Sequence, residues 1–295
     1  MTALARAADT LLEASVIGSF SRIGISARSR LLPEFSASNE VGGGGVALVT
    51  GATSGLGLVA ASQLASCGWT VHFLARNPDR AARAERTIAA AARGGAQVSH
   101  GIADLENTDS VRAFAREFRG THNRLDVLIH NAGAIHERFA VNQAGIELTV
   151  AGQVVAPFVL TWQLLPALRA AAPARVITVS SGGMYTQRLD LTTLQMPQAS
   201  YRGVTAYARA KRAQVALSQE WARRVSPADI AFHAMHPGWV ATPGITAALP
   251  RFSRIMRPVL RSPDQGADTI VWLATANPLL LGSGLFWHDR RPRTT

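Results

Sequence analysis

Tyr207 and Lys211 are the residues in this sequence best suited to move a proton. Both lie in a helical pattern that we predict over Val204–Val225, and residues four apart share one face of a helix. The phenol and the ammonium can therefore enter one pocket. A free tyrosine titrates near pH ~10, and a fixed cation beside it would stabilise the phenolate and lower that pKa. The pair predicts general acid–base catalysis.

The choice of lysine at this position is itself informative. The chain carries 30 Lys+Arg, and Lys211 is the one lysine among them. A lone lysine placed by chance would rarely fall four residues after one of only three tyrosines. Lysine is a compact point charge with three donors, whereas a guanidinium is planar and bulkier. We therefore predict a catalytic lysine rather than a solvated helix residue.

A glycine-rich turn follows the first predicted strand and precedes a helical pattern. Glycines permit a tight turn and let a pyrophosphate approach bare backbone, while the helix amides donate to it. The spacing is G-x-x-x-G-x-G rather than the G-x-G-x-x-G of other dinucleotide folds. The turn predicts a dinucleotide site, with the candidate residues Gly51, Thr53, Ser54, Gly55, Leu56 and Gly57.

Arg76 lies where the second predicted strand should end, nineteen residues after Gly57. An acidic residue at this place would hold the ribose 2′-hydroxyl of NAD. An arginine would instead pair with the 2′-phosphate of NADP, and Arg80 is nearby. We therefore expect NADP(H) to be favoured over NAD(H).

The elements that position these residues alternate along the chain. The predicted strands are Val46–Thr50, Thr70–Ala75, Gln97–Ile102, Leu125–His130, Arg175–Ser180, Ile230–His236 and Leu285–Trp287, with helical patterns such as Leu58–Ser66, Ala81–Arg93 and Val111–Arg119 between them. Such alternation predicts an α/β fold, a single-domain, doubly wound parallel sheet of about seven strands with helices on both faces, over residues 46–295. Ligands bind such sheets at the carboxyl ends of the strands.

Residues 1–45 form a separate N-terminal helical extension in this prediction. One helix face can be lined by Leu12, Val16, Phe20 and Ile23, and Gly42–Gly45 reads as a linker. Packing of this helix on the domain is the first interpretation. A basic amphipathic segment on a membrane surface stays open, because Arg22, Arg28 and Arg30 follow the apolar positions. Disorder is a third alternative.

The composition excludes several classes of function. Cys67 is the single cysteine, so no intramolecular disulfide or multi-cysteine cluster can form, and we predict no metal. The formal charge is +11, but the arginines are spread along the chain, and we expect no specific nucleic acid. No apolar run reaches the ~18–20 residues that span a bilayer, and no secretory signal is visible. We expect a cytoplasmic protein, with peripheral contact to a membrane surface left open.

Together these motifs resemble the short-chain dehydrogenase/reductase family over nearly the whole of residues 45–290. The matching segments are TGATSGLG at 50–57, Asp104-Leu105, Asn131-Ala132-Gly133, Ser180-Ser181, Tyr207 to Lys211, and Pro237-Gly238 with Thr242. The segments VITVSSGGMYTQRLD, HPGWVATPG and LRSPDQGADTIVWLA resemble one subgroup of that family more closely. The resemblance implies a Rossmann-type fold and an enzyme acting on CH–OH groups with NAD(P) as acceptor.

The resemblance also implies roles for individual residues. Ser181 would hydrogen-bond the substrate oxygen, and Tyr207 would exchange a proton with it. Lys211 would tune Tyr207 and hold the ribose hydroxyls of the nicotinamide. Asp104 would meet the adenine amine, Asn131 would support the central strand, and the turn from Pro237 to Thr242 would contact the nicotinamide end. The further cofactor-binding positions that the family pattern implies are Leu105, Gly133, Gly238 and Tyr207 itself.

Gln153 departs from the family pattern. An asparagine usually lies here and anchors a water that connects the lysine to solvent. Gln153 keeps the amide but adds one methylene, so proton exchange could be slower or re-routed. The family's Asn-Asn-Ala-Gly also reads His130-Asn131-Ala132-Gly133 in this chain, which we expect to matter little.

The long stretch from Gly182 to Val204 and the segment Trp239–Leu260 are predicted to wall the substrate pocket. Their apolar residues favour a lipophilic carbonyl or alcohol as the small-molecule substrate. The leading hypothesis is an active NADP(H)-dependent oxidoreductase. The alternatives are a catalytically weak nucleotide-binding sensor or scaffold and a protein that binds membranes or polyanions. A homodimer through Ile146–Ala171 and Val204–Val225 stays open.

Overall fold

Short apolar runs rich in β-branched residues form the strands of one sheet. The structure is a computed structural model that describes residues 3–35, 44–277 and 281–295. Its strands are β1 (Val46–Thr50), β2 (Thr70–Ala75), β3 (Val98–Ile102), β4 (Val127–His130), β5 (Ala174–Val179), β6 (Ile230–Met235), β7 (Leu285–His288) and β8 (Arg291–Arg293). The strand order is β3-β2-β1-β4-β5-β6-β7-β8, and β1 to β7 are mutually parallel. The predicted doubly wound parallel sheet is confirmed.

The eighth strand was not predicted. It reads Arg-Pro-Arg and pairs antiparallel with β7 across a two-residue turn. Asp289 and Arg290 form that turn with φ of 50° and 55°. Positive φ at both central residues matches the twist of a tight hairpin, but the usual Asn-Gly signal is missing from the sequence. The strand therefore carried no recognisable pattern.

Three of the described helices precede the first strand, and the others lie between strands. They are α1 (Ala3–Ala14), α2 (Val16–Phe20), α3 (Arg22–Leu31), α4 (Gly55–Ser66), α5 (Pro78–Ala91), α6 (Thr108–Thr121), α7 (Leu148–Val150), α8 (Ala156–Ala170), α9 (Gly203–Arg224), α10 (Pro243–Ala248), α11 (Pro250–Met256) and α12 (Pro263–Thr275). Between α7 and α8 the chain makes one π-helical turn, Ala151–Val155.

Helices cover both faces of the sheet. On one face, α4, α5 and α12 bury residues such as Leu64 and Ile270 against the strands. On the other face, α6, α8 and α9 bury residues such as Phe114 and Leu164. These two apolar layers hold the carboxyl ends of the central strands in fixed positions relative to one another.

The N-terminal extension differs from its prediction as one amphipathic helix. Ser15 and Ser21 have extended backbone and cap the next helices, accepting from the amides of Gly18 and Ile23. Serine side chains favour such caps over helix interiors, so the chain forms three helices. Val16 and Ile23, expected on one face with Leu12 and Phe20, are 58% and 52% exposed. Of the predicted linker Gly42–Gly45, residues 42 and 43 lie outside the described residues.

One segment is more apolar than predicted. Leu148–Ala170 is long and apolar enough to cross a membrane by length and composition, with a mean hydropathy of 1.5. The prediction that no such segment exists is therefore wrong. More than half of this window, 56%, is buried inside the protein, as in the core helix of a soluble domain. The cytoplasmic location and the homodimer stay predictions.

Candidate active site

The predicted site residues follow the carboxyl ends of neighbouring strands. Thr50 ends β1 and His130 ends β4, while Val179 and Met235 end β5 and β6. Since these strands are parallel and adjacent, the turns after them share one edge of the sheet. The structure thereby brings distant parts of the sequence to one place.

The turn after β1 has a shape that requires glycine. Gly51 has a φ of +70°, and a Cβ there would lie 2.8 Å from the Cα of Ala132. A Cβ on Gly57 would lie 2.4 Å from the side-chain nitrogen of Asn131. Ser54 precedes α4 but makes no side-chain capping bond to it. The first amides of a helix have no acceptor within the helix, so this turn offers donors to an anion.

Thr50 and Asn131 connect the ends of β1 and β4. The Thr50 hydroxyl accepts from the backbone amides of Asn131 and Ala132, at 3.0 and 3.1 Å. The Asn131 side chain donates to the carbonyls of Thr50 and Gly51, at 3.0 and 3.2 Å. Asn131 therefore lies where it supports the glycine turn. Thr50 begins the TGATSGLG motif but was not predicted as a site residue, because a threonine at a strand end gives no distinctive signal of its own.

Arg76 and Asp104 lie at the outer part of the edge, after β2 and β3. The Arg76 side chain is 69% exposed, and its nearest charge is Glu106, at 3.7 Å. The carboxylate of Asp104 accepts from the backbone amide of Glu106 at 3.0 Å. Asn107, not Asp104, caps the following helix α6. Leu105 packs against the core beneath this loop.

Tyr207 and Lys211 lie on one face of α9, as the spacing predicted. The Lys211 ammonium lies 5.5 Å from the centre of the Tyr207 ring. It donates to the carbonyl of Val179 at 2.9 Å, and only 2% of the residue is exposed. The Ser180 hydroxyl in turn donates to the carbonyl of Lys211 at 2.9 Å. The end of β5 thus fixes the lysine from two sides.

The pKa of Tyr207 shifts in the direction opposite to the expected one. Burial raises the pKa of the phenol, and the hydrogen bond with Ser181 opposes that shift. Burial lowers the pKa of Lys211 to about 7. The expected lowering of the tyrosine pKa by a fixed cation is therefore wrong. The reason is desolvation, which disfavours both charged forms.

Gln153 reaches the same pocket from the π-helical turn. A Cβ on Gly133 would lie 3.1 Å from Lys211 Nζ and 3.2 Å from Gln153 Oε1, so glycine leaves room for both groups. The Gln153 amide nitrogen donates to the carbonyl of Ala134 at 2.7 Å. Its Oε1 is buried and has no hydrogen-bond partner among the residues that the structure describes. A buried acceptor of this kind is suited to a water or a ligand hydroxyl.

Ser181 and the turn at Pro237 complete the edge. Ser181 follows β5, and its hydroxyl accepts from the amide of Gly183 at 3.2 Å. Gly238, after β6, has a φ of +77°. Thr242 lies close to the glycine turn, since a Cβ on Gly55 would be 3.6 Å from its methyl group. The candidate nicotinamide end and the candidate phosphate end therefore adjoin one another.

Only some of the apolar residues predicted to wall the substrate pocket can face it. Met184 packs in the core with Val215, Ala234 and Phe286 instead of facing a pocket. Leu191 points into solvent with 75% of its surface exposed. Residues of one loop can pack into the core or point into solvent with the same sequence pattern. The apolar composition of the loop therefore did not show which residues face the pocket.

Comparison with known proteins places this arrangement in a family. A family model for the short chain dehydrogenases matches residues 45–250. Dehydrogenase/reductase SDR family member 12 of Bos taurus is 40% identical over 253 residues, covering 84% of this chain and 77% of the relative. Retinol dehydrogenase 11 of Mus musculus is 32% identical and covers 83% of this chain and 78% of the relative. The resemblance to a subgroup seen in the sequence is confirmed by the first of these.

A solved structure extends the comparison to the cofactor. It is that of a candidate NAD(P) dependent gluconate 5-dehydrogenase from Beutenbergia cavernae with bound NADP at low occupancy. The two chains are 25% identical, with a TM-score of 0.69, and the match covers 84% of this chain and 95% of the other. The sheet and its carboxyl edge are therefore built as in a protein that takes a nicotinamide dinucleotide.

Proposed function

Because this chain belongs to the short-chain dehydrogenase/reductase family and is an oxidoreductase acting on CH–OH groups, we propose that it interconverts a lipophilic carbonyl and its alcohol with NADP(H). Ser181, Tyr207 and Lys211 handle the proton in this proposal. The observation that carries it is the buried Lys211 ammonium, 5.5 Å from the Tyr207 ring and fixed to the end of β5.

The proton chemistry follows from the environment of Tyr207. The phenol is protonated at neutral pH, and burial raises its pKa further, so it can donate to a carbonyl oxygen that becomes an alcohol. Ser181 is within hydrogen-bonding reach of the phenol and holds the same oxygen. Lys211 supplies positive charge when protonated, and its pKa of about 7 makes that charge sensitive to ligands. Gln153 Oε1 offers an acceptor for the proton path beyond the lysine.

The residues at the sheet edge fit a nicotinamide dinucleotide. The glycine turn Gly51–Gly57 would hold the pyrophosphate, Asp104 the adenine, and Pro237 to Thr242 the nicotinamide end. The cofactor, when bound, supplies the hydride. The chain's own contribution is to orient the reacting carbonyl and to exclude water around Tyr207.

Arg76 is proposed to select the 2′-phosphate of NADP. Its guanidinium is exposed at the end of β2, with Glu106 its closest anion at 3.7 Å. We expect Arg76→Asp to shift the ratio of NADPH to NADH affinity towards NADH by about 10- to 100-fold, since a charge-assisted contact is lost and a repulsion is gained. Fluorescence titration with both cofactors measures this. Arg83→Asp, on the exposed face of α5, is the matched control and should leave the ratio unchanged; equal shifts in both variants would refute the assignment.

The proposed substrate is lipophilic. Both segments predicted to flank the pocket carry apolar side chains besides the outward-pointing Leu191, with Leu189 on one and Ile255 on the other. A relative's name, retinol dehydrogenase, points to a lipophilic alcohol for that protein. We expect kcat/KM for a long-chain or polyene aldehyde to exceed that for a short polar aldehyde by about tenfold or more, as a few buried methylenes provide. NADPH consumption with both substrates tests this, and equal values would contradict it.

The alternative function is a nucleotide sensor or scaffold with weak turnover. Gln153, which replaces the family's asparagine, is the residue that supports it. Such a protein would bind NADPH with the same fluorescence change but would not consume it with any carbonyl. A carbonyl and alcohol screen with NADPH and NADP separates the two functions.

A further inference from the structure

Phe20, the last residue of α2, lies between two turns of the candidate active site. A Cβ on Gly182 would be 2.6 Å from the Phe20 ring, so the ring rests on the residue directly after Ser181. The same ring meets His236 edge-on, with centroids 4.6 Å apart, directly before Pro237. One side chain of the N-terminal extension therefore contacts the turns after both β5 and β6.

The backbone of Phe20 holds the second turn directly. Its carbonyl accepts from the amide of Trp239 at 2.7 Å and from Arg261 Nε at 3.0 Å. A Cβ on Gly238 would lie only 2.6 Å from this carbonyl oxygen. The approach is thus close enough to require glycine at Gly238, and the turn has no room to shift towards the extension.

Arg261 fixes the same turn from a second direction. It is 1% exposed, and it donates to the carbonyls of Pro237 at 3.1 Å and Ser19 at 2.7 Å. Its guanidinium pairs with Asp289 at 2.6 Å. A buried charge is costly to leave unpaired, so Asp289 and the surrounding carbonyls hold the Arg261 guanidinium in one place. The extension, the turn after β6 and the β7–β8 hairpin are joined at this arginine.

We infer that Phe20 is a positioning residue that sets the spacing between Ser181 and the Pro237–Thr242 turn. The inference rests on the proposed function, in which Ser181 holds the substrate oxygen and the turn holds the nicotinamide end. Reaction rates depend steeply on the mutual placement of two such groups, and a shift of about 1 Å can cost about 100-fold. The N-terminal extension thereby acts on the reaction through the two turns that Phe20 contacts.

Phe20→Ala tests the inference, with Phe35→Ala as the matched control. Phe35 belongs to the same extension and is half-buried, but its ring packs under Arg290 at 4.8 Å, away from the two turns. We expect Phe20→Ala to lower kcat about tenfold or more, with the KM for NADPH changed less than about threefold because the glycine turn is untouched. Phe20→Leu, which keeps an apolar contact with Gly182, should restore most of kcat. Phe35→Ala should keep kcat within about twofold.

A second measurement does not depend on turnover. Hydrogen–deuterium exchange of the peptide over residues 236–242 should become faster in Phe20→Ala, because loss of the ring contacts with Gly182 and His236 leaves the Phe20 carbonyl, which accepts from the Trp239 amide, less firmly placed. The exchange should stay unchanged in Phe35→Ala. Unchanged exchange, or a kcat loss that is equal in the two alanine variants, would overturn the inference. If the wild-type chain consumes no NADPH with any carbonyl, the proposed function fails, and exchange alone then decides whether Phe20 holds the turn.

Discussion

Tyr207→Phe is expected to reduce NADPH consumption by about 100- to 10,000-fold, the usual contribution of a positioned general acid. The change removes one oxygen and leaves the ring beneath Lys211. Lys211 keeps its bond to the Val179 carbonyl, and the glycine turn Gly51–Gly57 is not altered. NADPH affinity, measured by fluorescence titration, should therefore stay within about threefold of the wild-type value.

Tyr201→Phe is the matched control for this experiment. Tyr201 also carries a half-buried phenol, but this phenol donates to Glu147 at 3.0 Å rather than to a residue assigned to the proton chemistry. The two variants make the same chemical change in the same chain. A Tyr207→Phe protein with more than about a tenth of wild-type kcat, or a Tyr201→Phe protein with an equal loss, would contradict the assignment of the acid to Tyr207.

The site could be predicted from the sequence where its residues are close together along the chain. Tyr207 and Lys211 are four residues apart, and one helix suffices to place them together. The glycine turn is likewise contained in eight residues between a strand and a helix. The fold followed from short apolar strands alternating with helices, and the missing prediction was β8, whose Arg-Pro-Arg sequence has no strand pattern.

Burial determines the directions of the pKa shifts in the site, which the sequence could not predict. Spacing placed a cation beside Tyr207, and a nearby cation alone would lower the phenol pKa. The sequence does not show how completely the pocket is closed, and desolvation determines the sign of both shifts. The π-helical turn at Ala151–Val155 is a second case, because one extra residue per turn redirects Gln153 without a sequence signal.

Contacts between residues far apart in the chain are the third feature that the sequence could not predict. The Arg28 guanidinium pairs with Asp289, 261 residues along the chain, and the Phe20 carbonyl accepts from Arg261, 241 residues away. Periodicity and motif spacing describe neighbours in sequence, so neither can pair an N-terminal helix with a C-terminal hairpin. The extension was predicted as a helix, but its role beside Pro237 was not.

Asp289→Asn is expected to have the largest effect on stability. Asp289 is 1% exposed and pairs with Arg28 at 2.7 Å and Arg261 at 2.6 Å. Burial alone would raise the pKa of this carboxyl, but His288 and Arg261 hold it well below its ordinary range. Asparagine has nearly the same shape and tolerates the φ of 50° at this position. The substitution therefore removes one negative charge with little change in packing.

Without that charge, two buried guanidinium groups lose a shared anion. Arg28 keeps Asp9 and Glu13, at 2.8 and 2.7 Å, whereas the pair between Arg261 and Asp289 has no second carboxylate among the described ion pairs. Removing one partner of a buried ion pair costs about 3–5 kcal/mol because the other charge stays buried and unpaired. We expect the free energy of unfolding at neutral pH to fall by about that amount. Urea unfolding measures it. Glu220→Gln, which removes a surface carboxylate paired with Arg223 and Arg224, is the control and should leave the midpoint unchanged.

The pH dependence gives this prediction a second test. Because folding lowers the pKa of Asp289, its stabilising contribution is fully present above the ordinary aspartate range and is lost as the pH falls through that range and below it. The stabilities of wild-type protein and Asp289→Asn should therefore converge in acid and differ most near neutrality. A constant difference at all pH values would show that packing, not charge, is affected. Since Arg261 also holds the Pro237 carbonyl, at 3.1 Å, the same variant should lose turnover at urea concentrations that leave the wild-type protein folded.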